Sequence, residues 1–271
     1  MIQFHVFPGA VKRVVTFSYD DGSEKDARLI ELFNRYGVKG TFHLNGNKYI
    51  GATDAEKQAL RERYHGHEVA CHTVTHGWPA RMPVQSVVGE TYEDRKILEG
   101  VFGYPVVGMS YPSGSFDEKS IAAMQACGIL YSRTTKDTLY FPLPTDFMLW
   151  HPTAHHKKAQ EPAERFLREL DSQWTHPLLY IWGHSHEFKT EQDWQAMETL
   201  VATVAGNDKI WYATNIEIYN YMTAQRMLQI SADETMFYNS TALTLYVERD
   251  KKEIIEIPAG PTVYAPRGEN E

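Results

Sequence analysis

Cysteine is scarce: the 271-residue chain has only Cys71 and Cys127, with no CxxC pair, which argues against a disulfide framework or a thiolate zinc cluster. Both are expected to be reduced, small core residues. No apolar run is long enough to span a bilayer. The amino terminus MIQFHVFPGAVKRVV lacks the basic start, apolar stretch and small-residue cleavage site of a signal peptide. A cytoplasmic protein with no membrane partner is therefore expected. Basic excess is lacking too. The formal net charge is −8, and pairs such as Lys157-Lys158 and Lys251-Lys252 are too few to neutralise a phosphate backbone, so nucleic acid is not an expected partner. No internal repeat is visible. What is present is a chain 42% hydrophobic and 13% aromatic, able to bury a large core as one catalytic domain. It carries 12 histidines, several of them clustered with Asp or Trp, a first hint of metal chemistry.

From residue 11 onward, short β-branched or aromatic runs alternate with longer amphipathic segments, the pattern of parallel strands joined by crossover helices and hence an α/β fold. Strands are predicted over 11–17, 39–44, 68–71, 106–111, 129–132, 178–182 and 209–213. Helices are predicted over 23–36, 54–64, 84–102, 118–127, 161–174 and 192–205. Ser23 is expected to cap the first helix in a capping-box variant with Asp26, and Gly37 to end it. Val88, Tyr92 and Arg95 share a face of the long third helix. About seven β/α units precede residue 228. The stretch from Lys136 to Gln160 has no clear periodicity but holds Trp150, His155 and His156, and a long loop of that composition is often functional. Beyond residue 231, Leu243, Leu245 and Val247 face Ile254, Ile255 and Ile257 across a charged segment, which reads as a hairpin, and the last residues are expected to be loose. The expected division is a catalytic domain over 1–228 and a small β extension over 229–271.

Three motifs carry chemistry. In VVTFSYDDGS, Asp20 and Asp21 leave the carboxyl end of a strand just before a helix, where α/β folds build sites. One carboxylate could ligate a metal while the other faces a water, although DDG also suits an ordinary turn. In EVACHTVTHGWP, His72 and His76 stand four apart after another strand, a spacing that lets both imidazoles meet one ion, or a capping or buried pair. Two histidines and a carboxylate leave positions open for water and substrate. In LLYIWGHSHEF, a buried-looking strand delivers His184 and His186 to the same end. Histidine suits a general acid. His184, nearer the strand end, is the preferred acid, and His186 is either a pocket wall or a further participant.

SYDDG, HTVTH and WGHSH occur in the order seen in the polysaccharide deacetylases with a NodB homology domain, carbohydrate esterase family 4, which the chain resembles over about residues 11–225. The resemblance implies a distorted (β/α)7 barrel, a divalent ion that is usually zinc, and hydrolysis of an N-acetyl amide on a sugar. It implies Asp20 as base, Asp21, His72 and His76 as ligands, and His184 as acid. The substrate implied is an acetylated amino sugar. Relatives covered by the same resemblance open cyclic amides or cleave small non-sugar amides, and a third alternative is a non-catalytic carbohydrate-binding module. GMSYPSGSF departs from the family, which places an arginine before a proline-tyrosine-glycine turn where this chain has Ser110. The Asp20 carboxylate is then expected to be tuned by the ion or by another cation such as Arg133. Tyr111, Pro112, Trp150 and His186 are expected to line the substrate groove.

Overall fold

Two-residue strand β1 (Ile2–Gln3) precedes β2 (Arg13–Asp20), α1 (Asp26–Tyr36), β3 (Gly40–Leu44), α2 (Asp54–Arg63), β4 (Glu68–Cys71), α3 (Val84–Phe102), β5 (Gly108–Ser110), α4 (Glu118–Ala126) and β6 (Tyr131–Arg133) in the computed structural model. The chain continues with β7 (Ala154–His155), α5 (Gln160–Arg168), β8 (Leu178–His184), α6 (Glu191–Val204), β9 (Ile210–Tyr212) and α7 (Asn215–Arg226). Residues 1–172 and 177–267 are described. The predicted end of the fifth helix at Trp174 and the last residues of the tail lie outside them. Two compact units are distinguished: one comprises Val15–Gly206 with Tyr212–Asn215, and the other comprises Met1–Val14, Asn207–Trp211 and the chain from Ile216 onward.

In the larger unit the strands run in the order β6-β5-β4-β3-β2-β8-β7, and pairs β2/β3, β3/β4, β4/β5, β5/β6 and β7/β8 are parallel. This is the expected parallel α/β arrangement. Every residue of β2 is buried, and alternation sends the two sets of side chains to different surroundings. Phe17 and Tyr19 pack on Phe33 of α1; a buried ring of this kind is worth about 1.5–3 kcal/mol. Thr16, Ser18 and Asp20 face the other way and enter a polar interior. There Thr16 Oγ1 donates to Asn215, Thr41 Oγ1 to Glu68, and Arg133 Nε to Ser18 Oγ at 3.1 Å. That last bond joins β6 to β2 past three intervening strands, which requires the sheet to curl. Paired donors and acceptors offset the desolvation of so many buried polar groups.

The barrel is completed inside the stretch that lacked periodicity. Trp150 N–H donates to Ser132 O and Thr134 N–H to Trp150 O, while Thr153 N–H donates to Tyr180 O. β7 then pairs with β8 through Ala154 with Ile181 and His155 with Trp182. The segment 150–155 therefore bridges the two ends of the sheet. Trp150, 1% exposed, anchors it among Tyr131, Phe147 and Tyr180.

Three local expectations are corrected. α1 begins at Asp26 after Lys25, without a side-chain cap, because the Asp26 carboxylate accepts from Tyr64 and Ser185 instead. On α3, Val88 and Tyr92 are exposed, whereas Val87, Thr91, Asp94 and Leu98 face the core; the buried stripe is shifted by one residue, a slip that two apolar positions and an arginine at helical spacing cannot exclude. Cys71 is buried, but Cys127 is only half-buried, and both are free.

In the other unit, β12 (Leu245–Arg249) and β13 (Glu253–Ile257) form the expected hairpin, with β1 added beside β12. Asp250 and Lys251, in the three-residue connection between the paired Arg249 and Glu253, both have positive φ, the backbone region that tight hairpin turns use. A second small sheet orders β10 (Gln229–Ile230), β11 (Met236–Tyr238) and β14 (Val263–Tyr264). Tyr221 of α7 donates to Val6 O and accepts from Tyr246 N–H, so the hairpin unit includes the amino-terminal segment as well as the carboxyl-terminal one.

Candidate active site

The parallel pairing brings the carboxyl ends of β2, β4, β5, β6 and β8 to one rim. Asp20 is the last residue of β2 and is 2% exposed. Asp21 and Gly22 follow at φ 76° and 62°, so the backbone turns sharply and the two carboxylates separate. Gly22 is required there: a Cβ would come within 2.8 Å of Tyr49 Oη and 2.9 Å of Leu44 Cδ2. After β4, Thr73 and His76 also have positive φ, at 62° and 58°. For a β-branched threonine this is a costly conformation, and such strain clusters at functional sites. The loop is held in it by Asn45, whose amide donates to the carbonyls of His72 and Thr73, and by Glu90, which accepts from Thr75.

Asp21, His72 and His76 converge. Asp21 Oδ1 lies 3.5 Å from His72 Nε2 and 3.6 Å from His76 Nε2. Ligand atoms bonded tetrahedrally to one ion at about 2.0–2.1 Å stand about 3.3 Å apart, so the spacing fits a divalent cation with little movement. On its other side, His72 Nδ1 lies 2.9 Å from Ser110 O and 2.7 Å from Ser110 Oγ. A carbonyl partner requires a proton on Nδ1, which leaves the Nε2 lone pair for an ion. Burial pushes the His72 pKa down, against the charges of Asp20 and Asp21, so the imidazole is neutral as ligation demands. His76 and Asp21 keep partial exposure, with side chains 37% and 23% accessible, which leaves the open side that a catalytic site needs.

Asp20 belongs to a second layer of the same rim. Its Oδ1 accepts from Ser110 Oγ at 3.0 Å, and its Oδ2 pairs with Arg133 Nη2. Since Ser110 Oγ donates to Asp20, it accepts from His72, so one hydroxyl fixes both side chains. Arg133 is fully buried, and its guanidinium stacks 4.4 Å from the Trp182 ring centroid. Burial alone would raise the Asp20 carboxyl, but Arg133, followed by His72, His43 and His184, holds it well below the usual carboxylate range. His43, the register partner of Asp20 on β3, bonds Ser18 Oγ at 2.9 Å, and burial lowers its pKa to about 3.

His184 and His186 separate their partners. His184 Nε2 is 3.9 Å from Asp20 Oδ2, whereas His186 Nδ1 is 3.5 Å from Asp21 Oδ2. The 3-10 turn Ser185–Glu187, which carries His186 directly after His184 ends β8, is tied to α1 by Ser185 Oγ donating to Asp26. Other expected positions are not brought to the open side. Tyr111 is 1% exposed, stacks on Phe116 and donates to Met148 O; Pro112 is buried, and Trp150 lies in the barrel core. Their rings support the wall from behind. The sequence reading missed Trp182, which lies on β8 two residues before His184 and whose Nε1 donates to Asp137 at 2.7 Å. The i, i+2 relation to His184 was the available signal. It also missed Glu187, three residues after His184.

The profile of the polysaccharide deacetylase family matches residues 9–132. A Bacillus subtilis protein assigned as a polysaccharide deacetylase is 25% identical over 128 residues, 46% of this chain and 46% of its own length. The peptidoglycan-N-acetylglucosamine deacetylase of Bacillus cereus is 30% identical over 98 residues, 36% of this chain and 35% of its own. The chain thus aligns with less than half the length of these curated relatives. A crystal structure from Mycobacterium smegmatis, assigned as a polysaccharide deacetylase, superposes with a TM-score of 0.60 at 17% identity, covering 83% of this chain and 96% of that one; at that identity the likeness is one of fold. Residues 9–132 are thus similar in sequence to the polysaccharide deacetylase family, and the chain shares the fold of solved polysaccharide deacetylases.

Proposed function

We propose that the protein is a metal-dependent amide hydrolase that removes the N-acetyl group of an acetylated amino sugar or oligosaccharide. The observation that carries this reading is the pairing, on one rim, of an Asp21–His72–His76 ligand set with a separate buried carboxylate, Asp20, that takes no part in it. A divalent cation of the zinc class held by the three ligands would supply Lewis acidity to the amide carbonyl and to a water. Asp20, kept ionised by Arg133, accepts the proton of the attacking water. Arg133 and Ser110 keep the carboxylate from rotating. Attack adds oxygen to the acyl carbon, and the carbon–nitrogen bond breaks as the nitrogen takes a proton from His184 Nε2, the imidazole nitrogen facing Asp20. The products are acetate and a free amine.

The test is acetate release from N-acetylglucosamine oligomers by the full chain with added zinc, after chelation, and with Asp20→Asn. Zinc-dependent acetate release lost in Asp20→Asn supports the reading. Ammonia released from cyclic amides with no acetate from any sugar would replace the substrate class, and sugar binding without turnover in every metal condition would point to a binding module.

A further inference from the structure

A second cluster of ligand-type side chains stands at the carboxyl ends of β7 and β8. His155 and His156 follow one another at the end of β7, and Glu187 closes the 3-10 turn after β8. Glu187 Oε2 lies 3.1 Å from His155 Nε2 and 3.3 Å from His156 Nε2, close to the tetrahedral ligand separation of about 3.3 Å expected around a zinc-class ion. One donor atom from each of the three residues falls within 4.8 Å of the others, as in the Asp21 cluster, and these are the two such groups among the described residues.

The independent sign is an orphan. Glu187 Oε2 is buried yet accepts no hydrogen bond, although two imidazole nitrogens stand at hydrogen-bond distance. Their approach suits a shared occupant between the three atoms better than an N–H aimed at the oxygen, and a buried polar atom without a partner calls for an ion or a water. The other carboxylate oxygen, Oε1, is 3.1 Å from Lys157 Nζ, so Oε2 is the one left over. The His156 side chain is 5% accessible and is fixed by stacking on Tyr19 at 5.8 Å and 9°. Gly183 makes room for it: a Cβ there would come within 1.9 Å of His156 Nδ1.

We propose that His155, His156 and Glu187 form a second divalent-metal site, taking a borderline-soft ion such as Zn2+ through two imidazoles and one carboxylate. Two nitrogens and one oxygen favour that class over Mg2+ or Ca2+, which prefer all-oxygen shells. The competing arrangement is an ion pair with no metal, in which His155 donates from Nε2 while its Nδ1 accepts the long 3.4 Å contact from Lys157 N–H. Ligation needs the opposite tautomer and the loss of that weak contact.

Metal stoichiometry separates the two. The full chain is stripped with chelator, loaded with Zn2+ or Co2+, dialysed and analysed by elemental mass spectrometry, with circular dichroism as the folding control. Two ions per chain are expected in the wild type and one each in Asp21→Ala and Glu187→Gln, the latter isosteric at a partly exposed position. Co2+ absorption bands should differ between the two single-site variants. One ion in the wild type that Asp21→Ala abolishes, or two ions retained in Glu187→Gln, would overturn the second site. One ion that persists in Asp21→Ala and disappears in Glu187→Gln would support it and count against the first.

Discussion

Ser110 and Arg133 are register partners on adjacent strands, and each binds a different oxygen of the Asp20 carboxylate. The family resemblance leads one to expect an arginine at position 110. Here the cation comes from the next strand, and the serine hydroxyl takes the other oxygen while accepting from His72. A fully buried pair of this kind constrains the Asp20 carboxylate more through geometry than through net stability, because desolvation offsets much of the attraction.

Removing one partner of that pair is expected to be severe. Arg133→Met leaves Asp20 buried without its cation, with an expected loss of about 3–5 kcal/mol read by urea denaturation. It should also move the acidic limb of the pH–rate profile upward, since the carboxyl loses the charge that depresses it. Arg133→Lys keeps the charge but not the bond to Ser18, so both effects should be smaller. Unchanged stability and pH profile in Arg133→Met would refute the assigned role.

Asp20→Asn keeps the shape of the carboxylate and removes its basicity. Turnover should fall on the order of 10²- to 10⁴-fold, with zinc affinity largely retained because the ligand atoms are elsewhere. Full turnover in this variant, measured as acetate release, would exclude Asp20 as base.

Of the three proposed ligands, His76 can be removed with least damage to packing, its side chain being 37% accessible. His76→Ala should lower bound zinc by one ion per chain and abolish turnover without a large change in the thermal melt of the metal-free protein. Unchanged stoichiometry by elemental analysis would remove His76 from the ligand set.

His43 links pH to stability. Its folded pKa is lowered to about 3, below the ordinary value of 6.5, so the unfolded chain binds a proton that the folded chain refuses. Stability from this group is complete above about pH 6.5 and is lost as pH falls toward the folded value, by up to about 1.4 kcal/mol per pH unit. Urea midpoints of the metal-free chain at pH 7, 6 and 5 should decline, and His43→Gln should flatten the decline by about one proton's worth. Equal slopes in the two proteins would show that His43 is protonated in the fold.

The motifs were legible because their chemistry is local. Asp20-Asp21 at a strand end and the four-residue spacing of His72 and His76 are set by chain geometry alone, and the alternation of strands and helices announced a parallel α/β sheet. The amphipathic stripe of α3 was displaced by one residue because Val88 and Tyr92 look apolar but face outward, and only packing decides which of two adjacent stripes is buried. Tyr111 and Trp150 misled for a related reason. An aromatic in a loop looks available to substrate, yet both rings fill the barrel wall.

By itself, then, the sequence determined the alternation of strands and helices and which carboxylates and imidazoles gather at strand ends, since these depend on residue type, spacing and period. Tertiary structure decided what those groups meet. The segment 150–155 becomes the closing strand only because Ser132 and Tyr180 offer it carbonyls on either side, and Arg133 reaches Asp20 only because the sheet curls until β6 faces β2. The Arg133–Asp20 contact joins residues 113 positions apart, and no local pattern records it.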